Sequence, residues 1–241
     1  MMPRSPYIVF LILLIFFVIS FITNIIGPLM PDIIESFNLS LTLVALIPFA
    51  FFIAYGVMSI PAGMLLLKFK EKHLIVSAFI VIFFGAILLA LLPSYLTALF
   101  SFFIIGCGMA VLQVVINPLL RVTGGEEHFA MYAVFAQLVF GFASFLSPLV
   151  YTQLASETFF LADYPFLQNL SILLITKELP WISLYFLFSV ISLFMILILA
   201  FSKFPKVELK SNEKSGALAT HIKLFKNKQI QLFFLGMVCY V

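Results

Sequence analysis

The chain has 241 residues, of which 64% are hydrophobic and only 10% are charged, and its formal net charge is +3. A soluble domain has roughly 25% charged residues and about half apolar ones, so this composition excludes a water-soluble globular protein. The two cysteines, Cys107 and Cys239, lie in apolar runs and give neither a disulfide framework nor the spacing of a metal site.

Charged residues divide the sequence into apolar segments that are long enough to cross a bilayer, which takes about 20 helical residues. The six predicted helices lie between Arg4 and Asp32, between Glu35 and Lys68, in the two halves of 74–120, and at 129–156 and 179–202. We expect the long segment 74–120 to divide at Pro93. The predicted fold is therefore an all-α, polytopic transmembrane helix bundle.

The predicted domain organisation has three parts. Residues 1–201 form the six-helix bundle, residues 202–228 form a basic linker, and residues 229–241 begin a seventh helix. Thirteen helical residues cover about 20 Å, which is less than a full crossing. Because the sequence stops inside this apolar run, we expect a fragment or a truncated reading frame of a longer carrier.

The basic residues predict how the chain is oriented in the membrane. Twelve of the 13 Lys and Arg residues fall on one predicted side, and only Lys177, in the loop 157–180, falls on the other. Loops rich in Lys and Arg stay in the cytoplasm, so we expect a cytoplasmic N-terminus in a membrane such as the bacterial inner membrane. The basic residues thus report topology and do not indicate a nucleic-acid partner.

The predicted spans contain no Asp, Glu, Lys, Arg or His, and this excludes several classes of function. His73, His128 and His221 all fall in predicted loops. A haem or metal site needs His or Cys ligands on facing helices. An intramembrane protease needs an activated nucleophile or acids, and a proton pump needs a buried acid. We therefore expect neither an enzyme nor a bound cofactor.

Four amide side chains remain in the apolar spans and are the candidate binding residues. They are Asn24 in the first span, Gln113 and Asn117 in the fourth, and Gln137 in the fifth. An unsatisfied polar group in lipid costs several kcal/mol, so each amide needs partners. The amides could hydrogen-bond neighbouring helices, a contribution of about 0.6 kcal/mol each. Alternatively, they line a hydrated cavity that binds a polar solute, and the sequence leaves both interpretations open.

A short repeat relates the first and fourth spans. Residues 26–30 read Ile-Gly-Pro-Leu-Met, and residues 116–120 read Ile-Asn-Pro-Leu-Leu, with three of five positions identical. Three-plus-three repeats are common in secondary transporters, whose sites lie at the repeat interface near the bilayer midplane. Small residues four apart, such as Gly106 and Ala110, permit close helix packing.

Several motifs resemble the sugar porters of the major facilitator superfamily that include L-fucose–proton symporters and bacterial glucose/galactose transporters. The matching motifs are Pro-Leu-x-Pro at 28–31, Phe-x-x-x-Tyr followed by Pro-Ala-Gly at 51–63, Leu-Gln-x-x-x-Asn-Pro at 112–118 and Ala-Gln at 136–137. The resemblance implies the first half of a twelve-helix carrier. It also implies that Asn24, Gln113 and Gln137 face a central cavity and contact sugar hydroxyls, while Asn117 shapes its helix.

The sequence also departs from the family pattern. Proton-coupled fucose carriers have acids where this chain has Gly27 and Gln113, which argues against proton coupling through this half. Of the superfamily signature between the second and third helices, Gly63, Lys68 and Lys72 are retained. These residues are interpreted as topology determinants, with a gating role as the alternative that the family implies.

These observations predict a secondary transporter that moves a sugar or similar neutral solute by alternating access. Its expected partners are the solute, the lipid bilayer, a coupling cation, and either a missing C-terminal half or a second copy of the chain. Two alternatives remain open. One is a degenerate or truncated membrane protein with a structural or interaction role and no transport, and the other is a six-helix unit that dimerises into a carrier.

Overall fold

The computed structural model describes residues 5–155, 179–204 and 227–232. The described residues up to 204 form seven α-helices, which are α1 (Pro6–Asn24), α2 (Ile26–Phe37), α3 (Leu41–Lys68), α4 (Glu71–Leu91), α5 (Tyr95–Gly124), α6 (Phe129–Ala155) and α7 (Ser183–Phe201). Two 3₁₀ turns, Glu126–His128 and Pro180–Ile182, precede α6 and α7. The described ranges contain no strand. Because α1 and α2 together form one span, the described residues contain six segments that are long and apolar enough to cross a membrane, which confirms the predicted fold class.

Two units make up the chain, Met1–Val207 and Glu208–Val241. All seven helices belong to the first unit. In the second unit the described residues are 227–232, where 228–232 are helical and the Asn227 side chain accepts a hydrogen bond from the Gln229 N–H. The predicted linker 202–228 and the loop 157–180 lie mostly outside the described residues, so both remain predictions.

The third and fourth spans separate where the sequence predicts. Helix α4 ends at Leu91 and α5 begins at Tyr95, on either side of Pro93. Proline lacks the N–H that a continuing helix would use. The Ser94 side chain then caps α5 by accepting a hydrogen bond from the Thr97 N–H, as serine does at helix N-termini.

The first span differs from its prediction in two ways. It continues past Asp32 to Phe37, and Asn38 ends it in the left-handed region with φ 52°. It is also interrupted at Ile25, between α1 and α2. The interruption follows from Pro28, because a proline ring supplies no N–H to the carbonyl four residues earlier, which here belongs to Asn24.

Helix α5 lies at the centre of the bundle. It packs extensively on α3 and α4 and also contacts α1, while α1 packs on α6 and α4 packs on α7. A Cβ added at Gly106 would lie 2.5 Å from the Phe51 carbonyl oxygen of α3, and one added at Gly108 would lie 2.8 Å from the Ala78 carbonyl oxygen of α4. Helix α5 therefore has a glycine facing α3 and another facing α4, and these allow the backbones of both helices to approach it closely.

Polar side chains join the helices at the two ends of the bundle. At one end, the Lys72 ammonium donates hydrogen bonds to the carbonyl oxygens of Ala200 (2.6 Å) and Ser202 (2.8 Å). The hydroxyls of Ser202 and Tyr7 are hydrogen-bonded at 2.9 Å. A cation on the last carbonyls of α7 also complements the negative end of its dipole. These contacts tie α1, α4 and α7 together.

At the other end, aromatic residues make the connections. The Trp181 indole donates a 2.9 Å hydrogen bond to the Ser36 hydroxyl and packs edge-on against Phe37. The Tyr95 hydroxyl donates to the Leu43 carbonyl oxygen at 2.9 Å. Tryptophan and tyrosine are typical of membrane–water interfaces, because each side chain has an apolar ring that contacts lipid and a polar group that can hydrogen-bond with water.

Candidate functional site

The four predicted amides lie on three helices that pack on one another. Asn24 is the last residue of α1, Gln113 and Asn117 lie in α5, and Gln137 lies in α6. Contacts join α1 to α5, α1 to α6 and α5 to α6. Tertiary structure thus gathers side chains that are up to 113 residues apart in the sequence into one group of helices.

None of these amides is buried inside the six-span unit. Gln137 and Asn117 are exposed, and Asn24 and Gln113 are partly exposed. An amide that faced lipid hydrocarbon would lose its hydrogen bonds to water, so apolar spans keep polar side chains toward a hydrated cavity or another protein element. The exposure of all four is compatible with a cavity-lining position.

The hydrogen bonds of the amides stay within their own helices. The Asn24 amide donates to the carbonyl oxygen (2.9 Å) and the hydroxyl (3.1 Å) of Ser20, one turn earlier. The Asn117 amide donates to the Gln113 carbonyl oxygen at 3.1 Å. Across the part of the chain that the structure describes, no amide of the four bonds to a different helix, so the interhelical role that the sequence left open is not observed there.

Serines make the interhelical bonds beside the candidate site instead. The Ser20 hydroxyl donates to the Phe140 carbonyl oxygen at 2.5 Å, and the Ser147 hydroxyl donates to the Phe21 carbonyl oxygen at 2.7 Å. Both bonds join α1 to α6. They involve adjacent residues of α1 and residues seven positions apart in α6, and they join the two helices that carry Asn24 and Gln137.

Two hydroxyls near Asn24 were not anticipated from the sequence. Thr23 in α1 and Tyr55 in α3 have hydroxyl oxygens that are shielded from solvent and lack a partner at normal hydrogen-bond geometry. The Tyr55 hydroxyl lies close to the Thr23 side chain. Each hydroxyl can donate and accept, so the pair adds unused hydrogen-bonding capacity beside Asn24. The sequence signal was Tyr55 itself, the tyrosine of the Phe-x-x-x-Tyr motif.

Three glycines have open space beside them, where a side chain would meet no neighbouring helix. A Cβ added at Gly27, Gly56 or Gly141 would meet nothing within 4 Å. Gly27, which is exposed, lies three residues after Asn24 and takes the place of the acid that the family resemblance implies for proton-coupled carriers. Position 27 therefore has open space around it and provides no carboxylate that could bind a proton.

The predicted signature between the second and third spans lies mainly in helices. Gly63 lies inside α3, Lys68 is its last residue, and Lys72 lies in the first turn of α4, so the connection itself is only 69–70. Lys72 ties α4 to the end of α7, as described above. A gating role for Gly63, Lys68 and Lys72 remains a prediction. Among the described residues, no three His, Cys, Asp or Glu side chains lie close enough together to hold a metal ion.

Comparisons with known proteins place this geometry in a family. The sequence matches the model of the Major Facilitator Superfamily over residues 12–241. It is 38% identical over 117 residues to the glucose/galactose transporter of Brucella abortus, covering 47% of this chain and 28% of that one. It is 26% identical over 259 residues to the L-fucose-proton symporter of Escherichia coli (strain K12), covering 99% of this chain and 57% of that one.

Solved structures show the same fold. The transporter FucP in its outward conformation matches with a TM-score of 0.66 at 22% identity, over 90% of this chain and 55% of that one. A bacterial homolog of the human lysosomal transporter Spinster, inward-facing, matches with a TM-score of 0.72 at 16% identity, over 93% and 50%. The chain spans less than two thirds of the length of these relatives. Because the family model matches residues 12–241, which is nearly the whole chain, this chain belongs to the Major Facilitator Superfamily.

Proposed function

We propose that this chain forms the six-helix half of a secondary transporter that moves a sugar or similar neutral polar solute by alternating access. The observation that carries the proposal is the set of amides on α1, α5 and α6, which stay accessible although they lie in otherwise apolar spans. The named activities of the glucose/galactose and L-fucose relatives support a sugar as the solute class.

The chemistry of the site suits a neutral polyol. Each amide offers two N–H donors and one carbonyl acceptor, which match hydroxyl groups that both donate and accept. We assign direct contact with the solute to Asn24, Gln113 and Gln137. Thr23 and Tyr55 add two hydroxyls beside Asn24. We assign Asn117 to the shape of α5, because its amide bonds the backbone of its own helix.

A second six-helix element completes the proposed carrier. Over 18 residues of the span only 22% of the residues are buried in α3 and only 17% in α6, compared with 61% in α5. The exposed Gln137 lies on α6. A partner that covers the exposed residues of α3 and α6 would enclose the amides in a cavity and remove them from lipid. The lengths of the relatives favour a C-terminal half as that partner, and a second copy of the chain is the alternative.

The orientation follows from the basic end of the unit. The contacts of Lys72 and Tyr7 with Ser202 bring the start of α1, the start of α4 and the end of α7 together at one end. The described cations at that end are Lys68, Lys70, Lys72, Arg121 and Lys203. By the positive-inside rule we assign this end to the cytoplasm of a bacterial inner membrane. Gly27 and Gln113 provide no carboxylate, so a coupling cation would be bound elsewhere in the complete carrier.

Uptake by the complete protein in proteoliposomes tests the proposal. We expect saturable, competable uptake of a neutral monosaccharide such as L-fucose, D-glucose or D-galactose. Gln113→Ala and Gln137→Ala should each weaken solute binding about tenfold, because each removes hydrogen bonds worth roughly 1–1.5 kcal/mol. Thr152→Ala is the matched control, since its exposed hydroxyl in α6 bonds only the Leu149 carbonyl of its own helix. Absence of saturable uptake across a panel of neutral solutes would count against the proposal.

The same variants separate the second candidate, a degenerate membrane protein with a structural role. That candidate predicts that Gln113→Ala and Gln137→Ala alter thermal stability alone. A solute-dependent thermal shift that either substitution abolishes would exclude this second candidate.

The mass of the native protein in its own membranes distinguishes a longer carrier from a shorter chain. It can be detected with an antibody to residues 202–228. A species near twice 27.1 kDa under denaturing conditions indicates a longer chain. One at 27.1 kDa means that a carrier would need two copies, and it favours the degenerate protein.

A further inference from the structure

An apolar groove of about 660 Å³ lies on the surface at the basic end of the unit. It follows the outer face of α4, between the last turn of α3 and the last turn of α7. Its apolar lining includes Leu65, Phe69, Val76, Ile80 and Ala200. Phe69 is 54% exposed and Ile80 38% exposed, so the groove opens outward from the helix bundle. Its volume lies within the roughly 300–1,000 Å³ that is typical of ligand pockets.

A second cavity, of about 330 Å³, adjoins the groove toward the end of the helices. Lys72 and His73 line both cavities, which are therefore next to each other. The second cavity is also lined by Lys70, Glu71 and Lys203, so its charged residues are three lysines and one glutamate. Lys70, Lys203 and His73 are exposed, whereas Glu71 is buried and engaged in an interaction of its own. The accessible charge in this cavity is therefore positive.

Lys72 lies where the two cavities meet and has hydrogen-bonding capacity left. Its ammonium donates to the carbonyl oxygens of Ala200 and Ser202. An ammonium has three N–H donors, so one remains for a further acceptor. The two backbone bonds fix its position, so this last donor is held at the boundary between the apolar and the basic cavity.

We propose that the two cavities together form a binding site for one anionic phospholipid, with an acyl chain in the apolar groove and the phosphate between Lys70, Lys72 and Lys203. The proposal rests on the chain's place in a bilayer and is independent of the transported solute. Basic pockets between transmembrane helices at the membrane interface bind anionic lipid headgroups. A soluble phosphate compound would use the basic cavity alone and would leave the adjoining apolar groove empty. A lipid matches the charge of one cavity and the apolar lining of the other at the same time.

The site also has a consequence for the helices that it joins. The groove contacts the ends of α3, α4 and α7, and Lys72 already ties α4 to α7. A lipid phosphate that provides a third hydrogen-bond acceptor for the Lys72 ammonium would stabilise this end of the unit. Because a ligand that binds only the folded state raises its stability, the purified chain should melt at a higher temperature in the presence of the lipid.

The test uses the full 241-residue chain in detergent micelles, with phosphatidylglycerol and phosphatidylcholine of identical acyl chains as probes. We expect native mass spectrometry to show one retained phosphatidylglycerol, a higher melting temperature with that lipid, and weaker retention of phosphatidylcholine. The double variant Lys70→Gln/Lys203→Gln should bind phosphatidylglycerol about thirtyfold more weakly, given roughly 1 kcal/mol per lysine. Lys68→Gln is the matched control, because Lys68 is exposed at the same end and lines neither cavity.

A second variant tests the groove separately from the charges. Ser77→Trp places a large ring on the exposed lining of the groove and should reduce the retention of both lipids, without a change in helix content by circular dichroism. Inorganic phosphate at the same concentration should neither raise the melting temperature nor displace the lipid. Equal retention of the two lipids by the unmodified chain would overturn the proposal. So would an equal loss per lysine in Lys68→Gln and the double variant, since this would indicate a diffuse attraction to the basic end.

Discussion

The close approach of α3 and α5 at Gly106 provides the most direct test of the packing. In Gly106→Ala the new Cβ would lie 2.5 Å from the Phe51 carbonyl oxygen and 2.9 Å from the Ala54 Cβ. Carbon and oxygen atoms approach to about 3.3 Å without strain, so the helices must separate by about 0.8 Å. The nearest obstacle is backbone, which cannot move aside as a flexible side chain would. Overpacking of this kind typically costs about 1–3 kcal/mol.

The separation also weakens neighbouring contacts along the interface. A gap of about 0.5–1 Å forfeits a quarter to a half of the dispersion energy of each contact that it opens. We therefore expect Gly106→Ala to destabilise the chain by about 2–3 kcal/mol. For a chain of this size that corresponds to a fall in melting temperature of about 4–12 °C. The assay is thermal unfolding of the purified chain in detergent, followed by the loss of the monodisperse peak in size-exclusion chromatography.

Two other glycines serve as matched controls for this prediction. Gly56 lies in α3 and Gly141 in α6, and an added Cβ meets nothing within 4 Å at either position. Alanine there should change stability by less than about 1 kcal/mol, with a small gain from its higher helix propensity. If Gly106→Ala melts within 1 °C of Gly141→Ala, then α3 and α5 do not approach as closely as the structure shows, and the argument is refuted.

Three further predictions concern the two ends of the unit. Lys72→Met should destabilise the chain by about 2 kcal/mol in the same assay, because it removes two charge-assisted, partly solvated hydrogen bonds to the end of α7. The control Lys68→Met should change the free energy of unfolding by less than about 0.5 kcal/mol. Trp181→Phe should cost about 1 kcal/mol, since it loses the bond to Ser36 but retains an aromatic ring against its neighbours; a loss below 0.3 kcal/mol would contradict this contact. Trp181 is the only tryptophan and is 2% exposed, so aqueous iodide should quench the fluorescence of the folded chain weakly and that of the unfolded chain strongly.

The sequence predicted the spans because the cost of charges and unpaired backbone groups in lipid acts on composition alone. The division at Pro93 and the six spans therefore needed no tertiary information. The chemistry of Pro28 also lies in the sequence, although its consequence, a break at Ile25 directly after Asn24, was not drawn from it. The extension of the first span past Asp32 shows the limit of charge counting, since a helix can continue beyond the hydrocarbon region until a residue such as Asn38 ends it.

Which way each helix faces was decided only by tertiary structure. An apolar span has little amphipathic signal, so its rotation is set by packing against neighbours and cannot be read from hydropathy. Only the packed chain shows that a Cβ at position 106 would collide with the Phe51 backbone, while one at position 141 would meet open space. The same holds for Lys72, whose charge predicted the orientation of the chain but whose partners, the last carbonyls of α7, lie 128 and 130 residues away along the chain. The amides at Asn24, Gln113 and Gln137 were found from their polarity, whereas their grouping on α1, α5 and α6 arises from long-range packing that no local pattern encodes.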